Sequence, residues 1–217
     1  MPERFSAPRG RHAPPLEVRL STQRARLIAA AASSFASRGY AAASAESIAR
    51  AAGMSKATFY EHFENKEDCI VALFDSAAET VMEAMVAAAT AAGRDPQERM
   101  RAGVHAVLRA MGEHRDAART FLVEIVGAGP RAIARRDAIV AAFADVLDAE
   151  NAEAARRGLA ARACSRDDAY AVVGAIAELS SRQLRRGEPA EIRELEPVVD
   201  RLIVALMAQP APTSVAR

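Results

Sequence analysis

Tryptophan is absent from this chain of 217 residues, aromatic residues make up only 5 %, and just two residues are lysine and two cysteine. Cys69 and Cys164 stand far apart and form neither a disulfide framework nor a metal-ligand pair, so each reads as a small buried hydrophobe in a reducing compartment. His105 and His114 have no cysteine beside them, which argues against a zinc site. There is no phosphate-cradling Walker loop, no Gly-x-Ser-x-Gly elbow and no His-Glu-x-x-His pair, and with them go three common enzymatic signatures. No cofactor is implied and no enzyme is expected. No uninterrupted apolar run reaches the roughly 18 residues of a membrane span. The first residues are broken by Pro2, Pro8, Pro14 and Pro15 and carry arginines, so they lack the apolar centre of a signal peptide. The expectation is a soluble, cytoplasmic protein with no membrane partner.

What the chain does have is alanine and helix-spaced apolar residues. Hydrophobic residues make up 51 %, with few β-branched runs, which favours an all-α fold. The length suffices for one or two helical units with a core of their own. The net charge of +1 says nothing about nucleic acid, but its distribution does. Through Lys66 there are ten basic residues against five acidic, a net of +5, leaving −4 for the remainder. A basic head on a mildly acidic body suits a DNA-binding module joined to another function.

The spacing predicts a disordered basic tail over 1–18, a head over 19–65, a helical body over 66–208 and a disordered tail over 209–217. The first helix is expected near Thr22 to Arg38, with Ile28, Ala31 and Phe35 facing inward. A long helix from Lys66 to about Ala92, capped by Asn65, carries Ile70, Phe74, Ala77, Val81 and Met85. A stripe from Met100 to Met111 follows, then a short one ending at Gly127-Ala128-Gly129-Pro130. A long helix stops near Gly158, and two more run about Arg166 to Arg186 and Glu191 to Ala208. That gives about nine helices. The last carries Ile192, Leu195, Val198, Val199, Leu202, Ile203 and Leu206, a face that serves as core or pairs with a second chain.

Within the head, the run SAESIARAAGMSKATFYEHFENK from Ser44 to Lys66 carries the most chemistry. Ile48, Ala49 and Ala52 give one short helix an apolar face, and Ser44 can cap it. Gly53 falls where the chain must bend. Ser55 can cap a second short helix, Lys56 to about His62, with Phe59 and Phe63 inside. Two short helices crossed at a glycine turn form a helix-turn-helix, whose second helix enters the major groove of DNA. Lys56, Thr58, Tyr60 and His62 can donate to phosphates or base edges, and Ala57 fits against a thymine methyl. A packing role beside Phe63 is equally open to His62. Lys66, in the first turn of the next helix, opposes the helix dipole unless a phosphate sits there.

The stretch from Arg24 to Asp75 resembles the N-terminal domain of the TetR family of transcriptional regulators. The resemblance rests on Ile28 to Phe35, Gly39-Tyr40, Ile48-Ala49 with Ala52-Gly53, the run Ser55 to Phe63, and Lys66-Glu67-Asp68. It departs at Phe59, where Leu or Ile is commoner, at Cys69, where Leu is usual, and in the less threonine- and valine-rich 43–47. The resemblance implies an N-terminal three-helix DNA-binding domain followed by a helical ligand-binding and dimerisation domain. By residue it implies a DNA-facing set of Ser44, Ser55, Lys56, Ala57, Thr58, Tyr60, His62 and Lys66, with Tyr60 and Lys66 on phosphates and Lys56, Ala57 and Thr58 on bases.

It also implies a homodimer on a palindromic double-stranded operator, commonly as a repressor associated with the bacterial nucleoid. A small-molecule effector is then expected among the middle helices, with Met100, His105, Leu108, Met111, Phe121, Phe143 and Tyr170 as candidates. Their apolar, methionine-bearing character points to a hydrophobic effector. Dimerisation through the last two helices gives Val172, Ile176, Leu195, Val199, Leu202 and Leu206 as interface candidates.

Overall fold

The computed structural model describes residues 15–159 and 166–207, and every regular element among them is helical. The sequence-expected tails, apart from residues 15–18, and Cys164 lie outside the described residues. The head is α1 (Leu16–Arg38), α2 (Ala45–Ala51) and α3 (Lys56–His62). The body is α4 (Lys66–Ala91), α5 (Pro96–Glu113), α6 (Arg115–Leu122), α7 (Pro130–Arg156), α8 (Arg166–Arg186) and α9 (Glu196–Leu206), with 3-10 turns at Glu124–Gly127 and Ile192–Leu195.

The caps form as the residue types require. Ser44 Oγ accepts the Ser47 N–H at 3.1 Å while Ser47 Oγ accepts the Ser44 N–H at 3.0 Å, a reciprocal capping box. Ser55 Oγ accepts the Thr58 N–H at 3.0 Å, and Asn65 Oδ1 the Asp68 N–H at 2.9 Å. Between α2 and α3, Gly53 turns at φ +69°, in the region L side chains avoid. Two boundaries differ from expectation. α1 begins at Leu16 rather than Thr22, so the last residues of the expected tail, 16–18, are helical; Pro15 at the N-cap gives no side-chain bond, and there is no capping residue to read. The last expected helix is split, because Ile192–Leu195 closes as a 3-10 turn before α9.

Two apolar cores share α4. The head core joins Leu27, Ala31 and Phe35 of α1, Ile48 of α2 and Phe59 of α3 to Cys69, Ile70, Leu73 and Phe74 of α4. The body core joins Met85 of α4 to Met100, Val104 and Leu108 of α5, Leu147 of α7, Val172 and Ile176 of α8, and Val199 and Ile203 of α9. At 1.5 Å per residue α4 runs about 40 Å, long enough to belong to both. Burial pushes the Cys69 thiol up to about 12, against a smaller opposing pull from Arg24, so at neutral pH it is a protonated core residue.

The start of α4 is fastened to α7. Glu67 Oε1 accepts the backbone N–H groups of Arg131 at 3.0 Å and Ala132 at 3.4 Å, serving as an N-terminal cap from another helix. Asp68 pairs with Arg131 at 2.7 Å, and Asp75 pairs with Arg135. This approach requires glycine at 129, where φ is +98° and a Cβ would stand 2.6 Å from Glu67 Oε1. Gly129→Ala is expected to destabilise by about 1–3 kcal/mol through strained backbone and the displaced cap, read from urea unfolding midpoints.

Candidate nucleic-acid interface and effector cavity

The recognition surface is built by burying one side of α3. Phe59 is fully buried, packed 5.4 Å from Phe63 and 5.5 Å from Tyr60 between ring centroids, in the cluster that holds Phe35 and Ile48. That leaves Ser55, Lys56, Ala57 and Tyr60 exposed along the outer side, with Thr58 half-buried. Tyr60 is 51 % exposed. Lys56 Nζ lies 5.9 Å from its ring centroid, and Ser55 Oγ 3.0 Å from Thr58 Oγ1. A phenol, an ammonium and two hydroxyls are thus presented on one short helix.

The remaining DNA candidates are placed differently. Ser44 is exposed at the head of α2 but is occupied by its capping box. His62 is half-buried, its Nε2 3.3 Å from Gln23 Oε1, so it joins α3 to α1. Lys66, expected on a phosphate, instead donates from Nζ to the carbonyls of Tyr40 at 2.6 Å and Ala43 at 3.0 Å, and sits 4.1 Å over the Tyr40 ring. Partial burial pushes its ammonium below the ordinary lysine value. Its place is that of a strut under the α1–α2 loop, because those carbonyls lie within reach and have no helical partner.

Two residues that sequence reasoning missed hold the recognition helix. Arg24 Nη1 donates to the His62 carbonyl at 3.2 Å, with its guanidinium 4.7 Å over Phe63. Arg26 Nη2 donates to the Ala52 carbonyl at 2.7 Å. Both supply donors to orphan carbonyls at helix ends, so α1 fixes the ends of α2 and α3. Their partners lie 38 and 26 residues away, and nothing local in the sequence marks them.

Between head and body lies a cavity of about 940 Å³, with walls from α1 and α4 to α8. Its lining is largely apolar, including Ile28, Val81, Met111, Phe121, Phe143 and Val173, with Arg24, Asp75, Glu79 and Asp116 among the polar groups. Of the seven effector candidates, Met111, Phe121 and Phe143 line it. Met100 and Leu108 are packed in the body core. His105 is engaged elsewhere, its Nε2 2.8 Å from Asp200 Oδ1 and its Nδ1 3.7 Å from Glu196 Oε2. Tyr170 is exposed on α8.

The interface candidates also divide. Val172, Ile176, Leu195 and Val199 are at most 5 % exposed within the single chain, so they have no surface left for a partner. Their side chains complete the body core instead. Leu202 is half-buried and Leu206 is 36 % exposed.

Among the described residues, no three or more His, Cys, Asp or Glu stand together to hold a metal, and no helix is long and apolar enough to cross a membrane. The fold and the exposed α3 define a helix-turn-helix head joined to a helical body. Residues 27–73 match the bacterial regulatory proteins of the tetR family. Among curated protein sequences none matches. Solved structures with the same fold include FadR from Bacillus subtilis in complex with stearoyl-CoA, 19 % identical with a TM-score of 0.75, covering 83 % of this chain and 97 % of that one. AibR in complex with isovaleryl coenzyme A and operator DNA is 20 % identical, TM-score 0.63, over 85 % and 98 % of the two chains. NalD, the secondary repressor of the MexAB-OprM multidrug efflux pump in Pseudomonas aeruginosa, is 18 % identical, TM-score 0.67, over 86 % and 96 %. Over residues 27–73 the chain is thus a tetR-family DNA-binding head, and along the rest it shares the fold of these solved structures.

Proposed function

We propose that this regulator binds a palindromic operator as a homodimer through the outer face of α3, and that an apolar small molecule in the cavity releases it as a derepressor. The observation that carries the effector reading is the cavity's wall: Ile28 and Arg24 belong to the helix that positions α3, while Phe143 and Val173 belong to the body. A molecule filling that space touches both, so its affinity must depend on how they are set. By linkage, DNA must then weaken effector binding by the same factor as the effector weakens DNA binding.

The occupant suggested by the lining is an acyl chain with a polar head. A volume near 940 Å³ is at the upper end for small-molecule sites, and the apolar side chains offer few groups to orient a polar molecule. FadR and AibR, solved with acyl-CoA molecules, support that class. Dodecanoyl-CoA and dodecanoate are therefore the probes. A saturating excess, about 100 times Kd, is expected to stabilise the protein by about 2.7 kcal/mol, read as a rise in Tm, and to release DNA. No rise in Tm with either probe contradicts the effector class, and a flat response across a broad compound panel favours a regulator without a small-molecule effector.

For dimerisation the outward faces of α8 and α9 remain. On α9, Val198, Leu202 and Leu206 recur at i, i+4 and i+8, while Val199, Ile203 and Met207 face inward; on α8, Tyr170 is exposed and Gly174 has open space before it. A two-fold pairing of that stripe gives two heads able to read half-sites about 34–36 Å apart. Leu202→Glu is expected to leave the monomer folded, because the side chain is only half-buried, and to shift sedimentation from dimer to monomer. An unchanged sedimentation coefficient places the interface elsewhere.

A further inference from the structure

The short helix α6 has two faces with different partners. Ala117, Ala118 and Phe121 line the cavity, and the Phe121 ring meets Phe74 of α4 edge-on at 5.0 Å. Asp116, itself part of the cavity lining, and Arg119 and Thr120, outside it, are spaced i, i+3 and i+4 and grip α1. Asp116 Oδ2 accepts the Ser33 hydroxyl at 2.7 Å, and Arg119 Nε donates to the Ala36 carbonyl at 3.1 Å. The fully buried Thr120 hydroxyl lies 3.4 Å from the Ala32 carbonyl and donates to the Asp116 carbonyl at 2.8 Å.

Arg119 does more than hold α1. Its Nη1 donates to the Leu184 carbonyl at 2.8 Å, and Glu124 Oε1 stands 3.5 Å from its Nε. Ala36 and Leu184 lie in the last turns of α1 and α8, where carbonyls have no intrahelical donor. One guanidinium on the cavity's wall helix therefore closes the ends of a head helix and of a body helix. A planar fork does this with two different nitrogens held in fixed directions. The alternative route, through α4, is restrained, since Glu67, Asp68 and Asp75 fasten the first half of α4 to α7. α1, by contrast, holds the ends of α2 and α3 through Arg26 and Arg24.

Resting on the effector reading above, we propose that Arg119 is the coupling residue. Movement of α6 by a cavity occupant reaches the recognition helix through the Arg119, Thr120 and Asp116 grip on α1, and the bond to Leu184 keeps that motion in register with α8. Arg119 is a positioning residue: it need touch neither DNA nor effector.

The test is the factor by which saturating dodecanoyl-CoA weakens DNA binding by the full-length protein. A wild-type factor within about 5–150-fold is expected. Arg119→Lys keeps the charge and loses the fork; Thr120→Val keeps the shape and loses the hydroxyl. Both are expected to bring the factor below about threefold while DNA affinity and dodecanoyl-CoA affinity, measured separately, each stay within about threefold of wild type. Thr120→Ser, which retains the hydroxyl, is expected to keep the wild-type factor. Full coupling in both Arg119→Lys and Thr120→Val overturns the proposal.

A second measurement uses no small molecule. Met111→Trp adds bulk beside Ala118 and Phe121 and is expected to weaken DNA binding in the wild-type background but not with Arg119→Lys. If dodecanoyl-CoA has no effect while Met111→Trp acts only through Arg119, the effector class is wrong and the coupling stands. If Met111→Trp weakens DNA binding equally in both backgrounds, or in neither, the coupling is wrong.

Discussion

Lys56→Ala with Tyr60→Ala is expected to abolish specific DNA binding while leaving the protein folded. Each of the two side chains stands on the exposed side of α3, and neither contributes to the core that holds the helix. A phosphate or base contact contributes about 1–3 kcal/mol, and a dimer makes each contact twice. Four lost contacts together amount to at least about 4 kcal/mol, or roughly a thousandfold in affinity. Substitutions on such a surface usually change stability by about 0.5 kcal/mol or less, so Tm is expected to move by only a few degrees. The measurement is an anisotropy titration at several salt concentrations. The residual binding should show a shallower salt dependence, since one positive charge facing the DNA has gone from each head. Unreduced affinity in the double variant places the recognition face elsewhere.

Phe59→Ala is expected to act on the same function by the opposite route, through folding. Phe59 is fully buried where α1, α2 and α3 meet, against Phe35, Ile48 and Phe63. Removing a buried phenyl ring from a packed core costs about 3–5 kcal/mol, comprising lost transfer energy and the cavity left behind. For a protein of this size that lowers Tm by roughly 10 °C. Because α3 contributes little else to the core, the loss falls on the head, and DNA binding is expected to fail well below the temperature at which body helicity is lost. Circular dichroism read beside DNA binding across a temperature series distinguishes the two. Equal stability of wild type and variant contradicts the packing described for α3.

Much of the head was legible because its signals are local. Ser44, Ser55 and Asn65 are cap residues standing three positions before the N–H they accept, and each makes that bond. The helix at Arg166–Arg186 ends where Gly187 turns to positive φ. The start of α1 was not legible, since Pro15 offers no side-chain cap and the exposed Leu16, Val18 and Leu20 carry no inward stripe. Lys66 is instructive in another way: its place at a helix start fits a phosphate contact, but the carbonyls that take its ammonium come from a loop some 23–26 residues earlier.

The body was less legible because apolar periodicity says which residues leave water, and not what they leave it for. Met100, Leu108 and Met111 lie on one helix and look alike in sequence; only the last borders the cavity. On α9 and the turn before it, Leu195, Val199, Ile203 and Met207 form the inward stripe and Val198, Leu202 and Leu206 an adjacent one. The sequence-based interface set drew from both stripes, because a broad apolar face does not reveal where one chain's core ends. The α6 grip on α1 was invisible for a related reason. Its bonds run from side chains to backbone carbonyls more than sixty residues distant, and carbonyls have no sequence.

The central claim, that the outer face of α3 reads specific DNA as a pair of heads, is tested most directly by incubating the purified protein with random and source-genome DNA fragments at near-physiological salt and sequencing what it retains. A recovered palindrome with half-site centres about one helical turn, or a multiple of it, apart is the predicted result. A folded protein that enriches no sequence, or enriches one without two-fold symmetry, contradicts it.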